Sequence, residues 1–208
     1  MLHNLQSHPF ASKTVAVLRN KETQPPQFRR ALNRLGKLLS YEIAQKLDLV
    51  KKEVESPLGK ANYHDFKDEI SVIAILRAAL PMAEGVIEEF ENAHIGFFSA
   101  SRSKMLDEKG RDFEIDITYS KLPNLNNHIA IIVDPMLATA STLLHVIQAV
   151  KEGKPKKVII ACAIASEYGI KRVQENHPDV EIYTGAIDAV LNEKGYIVPG
   201  LGDAGDRA

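Results

Sequence analysis

The residues best suited to chemistry follow a continuous apolar run at 129–133. Asp134 ends this run, and the hydroxylic residues Thr139, Ser141 and Thr142 stand before a helix-like stretch. Loops that join a strand to a helix at the carboxyl edge of a parallel sheet are the usual ligand sites of α/β proteins. Free N–H groups at a helix start suit a phosphate, and a carboxylate accepts hydrogen bonds from ribose hydroxyls. The pattern indicates a sugar-phosphate site, although an ordinary turn with hydroxyl caps would contain the same residues.

A positive charge stands at the end of another predicted strand. Arg77 follows the apolar run 71–76. A guanidinium group in that place can bind phosphate oxygens through two parallel hydrogen bonds. The alternative is a surface arginine that caps the strand. The seven histidines show no metal-ligand spacing, so surface or capping roles are predicted for them.

Three segments resemble the motifs of uracil phosphoribosyltransferases, in that family's order. The loop Asp134-Pro-Met-Leu-Ala-Thr-Ala-Ser-Thr142 is similar to the family's phosphoribosyl-diphosphate motif, Asp-Pro-Met-Leu-Ala-Thr-Gly-Gly-Ser. The stretch Leu191-Asn-Glu-Lys-Gly-Tyr-Ile-Val-Pro-Gly-Leu-Gly-Asp-Ala-Gly-Asp-Arg207 is similar to its uracil-binding segment almost letter for letter. Ile75-Leu-Arg-Ala-Ala-Leu80 stands where the family has Ile-Leu-Arg-Ala-Gly-Leu.

The resemblance implies pyrimidine salvage: transfer of the phosphoribosyl group of 5-phospho-α-D-ribose 1-diphosphate (PRPP) to uracil, giving UMP and diphosphate. It implies catalytic roles for Arg77, Asp134 and Asp203. Uracil is expected to contact Tyr196, Ile197, Gly202, Asp203 and Ala204. PRPP is expected to contact Arg77, Arg102, Asp134, Pro135, Met136, Leu137, Ala138, Thr139, Ala140, Ser141, Thr142 and Asp203. Mg²⁺ is the implied cofactor, held mainly by PRPP and water.

Alanines replace glycines at two positions of these motifs. Ala140 stands at the first glycine of the phosphate loop, Ser141 at the second, and Ala79 at the glycine of the arginine motif. Glycine often supplies a positive φ or lets a ligand approach closely. If such a φ is required, a side chain costs about 1–2 kcal/mol. These departures motivate an alternative, a catalytically impaired homologue that binds uracil or nucleotides as a regulator. The intact segment 196–206 argues against a phosphoribosyltransferase for another base.

Strands that alternate with helices predict an α/β fold, a mostly parallel central sheet with helices on both faces. The resemblance implies the type I phosphoribosyltransferase fold, with a β-hairpin arm and a C-terminal base-binding hood. We expect one domain over residues 1–208, with the arm at 102–123 and the uracil-binding segment at 185–208. The expected strands are 71–76, 95–98, 129–133, 157–164 and 180–184, and the expected helices are 80–90, 141–151 and 167–176.

The N-terminal part, residues 1–50, is expected to form an arm and a helix. Residues 1–24 are predicted to be extended, with a short strand or helical turn at 14–18. Pro25 and Pro26 open a helix to about Leu49, whose apolar residues recur every three or four positions. Residues 50–69 mix proline, glycine and charge and are predicted to form a connector.

Length, net charge, cysteine count and apolar runs limit the classes of protein to which this chain could belong. A chain of 208 residues suits one domain with a full core, and a net charge of −1 gives no support for a nucleic-acid or membrane partner. Cys162, the one cysteine, excludes an internal disulfide and is predicted to lie in a buried strand. No apolar run approaches the roughly 18–20 residues that span a bilayer, so a cytoplasmic protein is expected. The resemblance implies a homo-oligomer, dimer or tetramer, with GTP as an effector to be tested.

Overall fold

The computed structural model describes residues 1–107 and 110–208, apart from the side chains of residues 101–103. Its elements, in chain order, are β1 (Leu2–Asn4), α1 (Pro9–Arg19), α2 (Pro25–Ala44), β2 (Leu49–Ser56), β3 (Gly59–Phe66), β4 (Ile70–Leu76), α3 (Leu80–Glu89), β5 (His94–Met105), β6 (Phe113–Lys121), β7 (Ile129–Val133), β8 (Met136–Leu137), α4 (Ser141–Glu152), β9 (Lys157–Ser166), α5 (Glu167–Asn176), β10 (Glu181–Asp188), β11 (Val190–Leu191), β12 (Ile197–Val198) and α6 (Ala204–Arg207).

The central sheet has eight strands, in the order β1-β10-β9-β7-β4-β5-β6, with β8 paired to β9. All neighbouring pairs in this order are parallel except β5 and β6, which are antiparallel. The apolar runs of β4, β7 and β9 are buried on both sides, as expected of strands covered by helices. The predicted mostly parallel sheet is confirmed.

Helices cover both faces of this sheet, and neighbouring strand residues point into different apolar layers. Ile131 packs in the layer that contains residues of α1, α2 and α3. Ile132, the next residue, packs in the layer that contains residues of α4 and α5. This follows from the alternation of side chains along a strand. The prediction of helices on both faces is therefore confirmed.

Helix α2 supplies the longest apolar stripe of the first of these layers. Its buried positions include Phe28, Leu32, Leu35, Leu39 and Ile43, each with no exposed surface. The helix begins at Pro25, where a missing N–H costs nothing because the first turn has no intrahelical acceptor. It ends at Ala44, earlier than predicted, because the chain turns into β2.

The expectation of a connector at residues 50–69 was wrong. β2 and β3 form an antiparallel hairpin whose register runs from Leu49 opposite Phe66 to Ser56 opposite Gly59. The Pro57-Leu58 pair makes the turn. Most of the hairpin is exposed on both faces, so its sequence lacks the alternation of apolar and polar residues that marks a half-buried strand.

The expectation of an extended arm at residues 1–24 was wrong for residues 9–19, and the alternative of a helical turn at 14–18 falls inside α1. β1 joins the edge of the sheet beside β10. Residues 9–19 form α1, which buries Ala11, Thr14, Val15 and Leu18 against the core. Pro9 stands in its first turn, and His8 caps it by accepting a hydrogen bond from the Ala11 N–H over 3.3 Å.

The β-hairpin arm expected at 102–123 is continuous with a central strand. β5 begins at His94, beside β4, and continues to Met105, where it pairs with β6. Residues 108 and 109, near the tip, lie outside the described residues. Within the described part of the chain, no helix combines the length and apolar character that a bilayer crossing needs.

Candidate active site

A cavity of about 370 Å³ opens at the carboxyl ends of β4 and β7. This edge of a parallel sheet is where α/β proteins bind ligands, because the strand-to-helix loops meet there. Segments from distant parts of the chain form its wall: Leu76, Arg77, Ala78, Ala100, Asp134, Met136, Ala138, Thr142, Gly195, Tyr196, Gly202, Asp203, Ala204 and Gly205.

The loop between β7 and α4 turns sharply into the helix. Ala140, the residue before the helix, has φ of 65° and ψ of −1°, in the left-handed region. Its methyl side chain makes no cap hydrogen bond, and the first helical N–H, that of Ser141, donates to Thr139 Oγ1 over 3.4 Å. Thr142 reaches the cavity wall, one residue into the helix. Such a helix start, with its dipole and backbone N–H groups, suits a phosphate.

Asp134 and Arg77 flank this loop on the cavity wall. Asp134 is half-buried at the end of β7, and its Oδ1 accepts the Met136 N–H over 3.2 Å. Arg77 is exposed just beyond β4. The peptide bond between Leu76 and Arg77 is cis. An acid and a cation therefore share the cavity with the helix start.

The C-terminal segment forms another part of the cavity wall. Asp203 caps the short helix α6 and accepts the N–H groups of Gly205, over 2.8 Å, and Asp206, over 3.1 Å. The Tyr196 hydroxyl donates to the other carboxylate oxygen of Asp203 over 3.3 Å. Gly202 has φ of 79°, a left-handed conformation that glycine adopts without strain. The exposed tyrosine and this carboxylate thus border the cavity together.

The buried hydroxyl of Ser141 faces a network behind the phosphate loop. Arg172, from α5, donates to Ser141 Oγ over 3.0 Å, to the Thr139 carbonyl over 3.1 Å and to the Arg111 carbonyl over 3.0 Å. The same guanidinium pairs with Asp112 over 2.7 Å, and Ser141 Oγ donates to that carboxylate over 3.3 Å. One arginine therefore links α5, the phosphate loop and the end of the β5–β6 connection.

The network sets the charge of Asp112. Burial acts to raise its pKa, but the hydrogen bond and positive charge of Arg172, with smaller contributions from Ser141 and the Phe113 N–H, outweigh burial. The pKa of Asp112 is consequently below its ordinary value, and the carboxylate is ionised at neutral pH.

The family follows from comparison of the whole chain with known proteins. The family model described as "Uracil phosphoribosyltransferase" matches residues 5–208. The chain belongs to the uracil phosphoribosyltransferase family. Two similar relatives carry that name: one from Sulfurisphaera tokodaii is 44% identical, with 97% of this chain and 96% of the relative covered. One from Thermococcus gammatolerans is 42% identical, with 100% and 92% covered.

Solved structures agree with the type I phosphoribosyltransferase fold. The structure of the AQ2163 protein from Aquifex aeolicus has a TM-score of 0.91 and 39% identity, and the match covers 100% of this chain and 97% of that one. A hypoxanthine phosphoribosyltransferase from Staphylococcus aureus has a TM-score of 0.51 at 14% identity, covering 77% and 74%. The second likeness is one of fold alone.

Many of the site residues predicted from the sequence meet at the cavity. Those on its wall are Arg77, Asp134, Met136, Ala138, Thr142, Tyr196, Gly202, Asp203 and Ala204. The following predicted residues are buried and are not among the lining residues: Pro135, Leu137, Thr139, Ala140, Ser141 and Ile197. Arg102 is in β5, and its side chain lies outside the described residues.

Sequence reasoning missed Arg172 and Asp112. Their partners in the phosphate loop are 33 and 29 positions away, and the two residues are 60 positions apart. Neither residue stands in the three segments that resemble the family's motifs. The pairing depends on the packing of α5 against the loop, which no local pattern of residues reveals.

Proposed function

We propose that this chain is an active uracil phosphoribosyltransferase that forms UMP and diphosphate from uracil and PRPP in pyrimidine salvage. One observation carries the proposal: a helix start suited to phosphate, an acid, a cation and the C-terminal segment border a single cavity. These groups fit a ligand that has a phosphate, a ribose and a second charged group, bound next to a flat base.

The proposed chemistry is a displacement at carbon 1 of the ribose. The bond from this carbon to the diphosphate oxygen breaks, a uracil nitrogen forms the new bond, and the proton that this nitrogen loses passes to solvent. The transition state has oxocarbenium character, and most of the negative charge develops on the leaving diphosphate. Catalysis therefore depends on positioning and on electrostatic stabilisation rather than on a protein nucleophile.

Each group on the wall has a proposed task. Arg77 binds the diphosphate oxygens and stabilises their growing charge. Asp134 accepts hydrogen bonds from the ribose hydroxyls, and the loop 139–142 binds the 5′-phosphate through its backbone N–H groups and hydroxyls. Arg102 is proposed as a second cation for the diphosphate, on the resemblance alone.

The C-terminal segment is proposed to recognise the base. Uracil presents an acceptor at O4 and a donor at N3, and cytosine reverses this pattern. Backbone groups of Ile197, Gly202 and Ala204 are proposed to match uracil, with Tyr196 beside the ring. A mismatched base would leave buried polar groups unpaired, which costs more than the loss of one hydrogen bond.

Mg²⁺ is the proposed cofactor, and the residues on the wall fit it. Among the described residues, no group of three or more His, Cys, Asp or Glu is placed to hold a metal ion. Asp134 and Asp203, however, both reach the cavity. Mg²⁺ prefers oxygen ligands and keeps several waters, so one or two carboxylates with substrate phosphates suffice. When bound, the ion neutralises charge on the diphosphate.

The backbone at the two alanines favours an enzyme over an impaired regulator. Ala140 adopts the left-handed conformation despite its side chain. Ala79 has φ of −73° and ψ of −19°, which any residue accepts. Neither methyl group is among those lining the cavity. The motif glycines have thus been replaced without a group that obstructs the proposed PRPP site.

Turnover of purified protein with labelled uracil, PRPP and Mg²⁺ tests the proposal. We expect labelled UMP, and we expect Asp134→Asn to abolish its formation. Asp179→Asn, which removes an exposed acid paired with Lys151, is the matched control and should retain activity. Binding of uracil or UMP by calorimetry without any turnover would favour the regulatory alternative.

Self-association, a GTP effector and a cytoplasmic location are further parts of the proposal. Exposed Val54, Leu58 and Tyr63 on the β2–β3 hairpin support a homo-oligomer, because an isolated two-stranded hairpin is marginal in water. Leu58→Lys should lower the mass measured by light scattering.

The GTP effector is tested by measuring turnover in the presence and in the absence of GTP. A cytoplasmic location is proposed because a charged sugar diphosphate does not cross membranes unaided.

A further inference from the structure

A bidentate ion pair lies behind the C-terminal segment, outside the cavity. Arg19, in the last turn of α1, donates to both carboxylate oxygens of Asp188, at the end of β10, over 2.7 and 2.8 Å. Only 8% of the Asp188 side chain and 25% of the Arg19 side chain are exposed. Neither residue stands in the three segments that resemble the family's motifs, and 169 positions separate them.

Both members of this ion pair form hydrogen bonds with the backbone of one glycine in the C-terminal segment. The Gly200 N–H donates to Asp188 Oδ2 over 3.0 Å, and Arg19 donates to the Gly200 carbonyl over 2.9 Å. Gly200 has φ of 56°, and a Cβ atom there would lie 2.2 Å from the Ile197 carbonyl oxygen. Both polar groups of this residue are therefore fixed by charged partners.

A second arginine holds the same segment against the end of α1. The Arg207 guanidinium donates to the carbonyls of Leu18 and Leu201 and, over 2.7 Å, to that of Asn20. It also stacks over the Phe28 ring at 4.4 Å. Arg207 thus connects the turn 199–202, through the Leu201 carbonyl, to the end of α1 and to the first turn of α2.

We propose that Arg19 and Asp188 are positioning residues for the base. They hold the Gly200 backbone two residues before Gly202, which lines the cavity, and so they fix the backbone groups that would meet uracil. The inference rests on the proposed function. A displacement of about 1 Å in a binding group can lower reactivity by up to about 100-fold. Loss of the hydrogen bonds to Gly200 should therefore be detectable in steady-state kinetics.

Steady-state kinetics of Arg19→Gln and Asp188→Asn provide the test. We expect each to raise the KM for uracil about tenfold, the effect of about 1.4 kcal/mol, with the KM for PRPP changed less than about twofold. Discrimination between uracil and cytosine should fall in parallel. Arg19→Lys, which keeps the charge but loses the bidentate fork, should give an intermediate value.

Lys157→Gln is the matched control for general destabilisation. Lys157 pairs with Glu181 over 3.1 Å, and the side chains are 31% and 17% exposed. This pair lies at the amino ends of β9 and β10, on the edge of the sheet opposite the cavity. Its loss should lower the free energy of unfolding without changing the KM for uracil.

The outcomes separate this inference from the proposed function. An unchanged KM for uracil in both folded variants, or an equal rise in the KM for PRPP, would overturn the positioning role. If the wild-type chain makes no UMP, calorimetric affinity for uracil and UMP replaces KM. A roughly tenfold loss in Arg19→Gln, absent in Lys157→Gln, would then support positioning although the proposed turnover had failed. Should Asp188→Asn not fold, Arg19→Lys decides the question.

Discussion

Two alanines in glycine positions differ in what their backbones require. Ala140 has a left-handed conformation and precedes α4, whereas Ala79 has the φ and ψ of a right-handed helix and precedes α3. Both side chains are buried, at 4% and 0% exposure. A glycine in the family motif therefore has a conformational reason at position 140 but none at position 79.

Glycine substitutions at the two positions should accordingly change the free energy of unfolding by different amounts. Ala140→Gly relieves about 1–2 kcal/mol of strain, offset by a lost buried methyl group and a more flexible unfolded chain, so the free energy of unfolding should change by less than about 1 kcal/mol. Ala79→Gly also loses a buried methyl group and gains flexibility in the unfolded chain, but it relieves no strain. It should therefore lower the free energy of unfolding by about 1–2 kcal/mol. Urea denaturation of both variants measures this. A stabilised Ala79→Gly would contradict the argument.

At the scale of elements, the apolar runs were enough to predict the sheet and the helices on its two faces. Contacts between elements that are distant in sequence could not be predicted from these runs. The strands at 71–76 and 129–133 were found within one residue, because a run buried on both faces has a clear signature. The β2–β3 hairpin was missed because it has no buried face. The motif loops were predictable from their own residues, whereas the arginine that ties α5 to the phosphate loop acts across 33 positions.

This connection predicts the effect of Arg172→Gln. The substitution removes the donor that holds the Thr139 carbonyl, Ser141 and Asp112 together. We expect a loss of about 1–3 kcal/mol in the free energy of unfolding, reduced by solvent screening because Asp112 is 44% exposed, and a several-fold higher KM for PRPP. Lys171→Gln, its exposed neighbour paired with Glu175, should change neither quantity.

The same pair predicts a pH dependence. The folded-state pKa of Asp112 lies below its ordinary value of 3.8, so the pair stabilises the fold fully above that pH and loses its effect as the pH falls through the lowered pKa. The difference in unfolding free energy between wild type and Arg172→Gln should be constant from neutral pH to about pH 5 and shrink below about pH 4. A difference that grows in acid would refute this assignment.

At the scale of the whole molecule, the inner strands β4, β7 and β9 of the central sheet are closed to solvent on both faces. Cys162, in the middle of β9, has no exposed surface, and burial raises the pKa of its thiol to about 12. A buried neutral thiol is a poor nucleophile. The cysteine therefore reports on opening of the sheet rather than on the chemistry of the site.

Alkylation of this thiol should follow unfolding of the sheet. We expect no modification of the native protein by iodoacetamide at pH 8 on a scale of hours, and complete modification in concentrated guanidinium chloride, both read by mass spectrometry. Rapid labelling in native buffer would show that β9 opens locally without global unfolding.

The contacts of Arg207 also bear on how a newly made chain becomes competent. Its guanidinium reaches carbonyls 187 and 189 positions earlier in the chain, and Asp188 meets Arg19 across 169 positions. During synthesis on a ribosome, α1 and most of the sheet emerge well before these partners exist. Contacts so distant in sequence form slowly, since a long loop must close first. Within residues 1–208, the wall proposed for the base is thus the last part to mature, and the backbone groups proposed to select uracil are held in place only after residues 188–207 have been made.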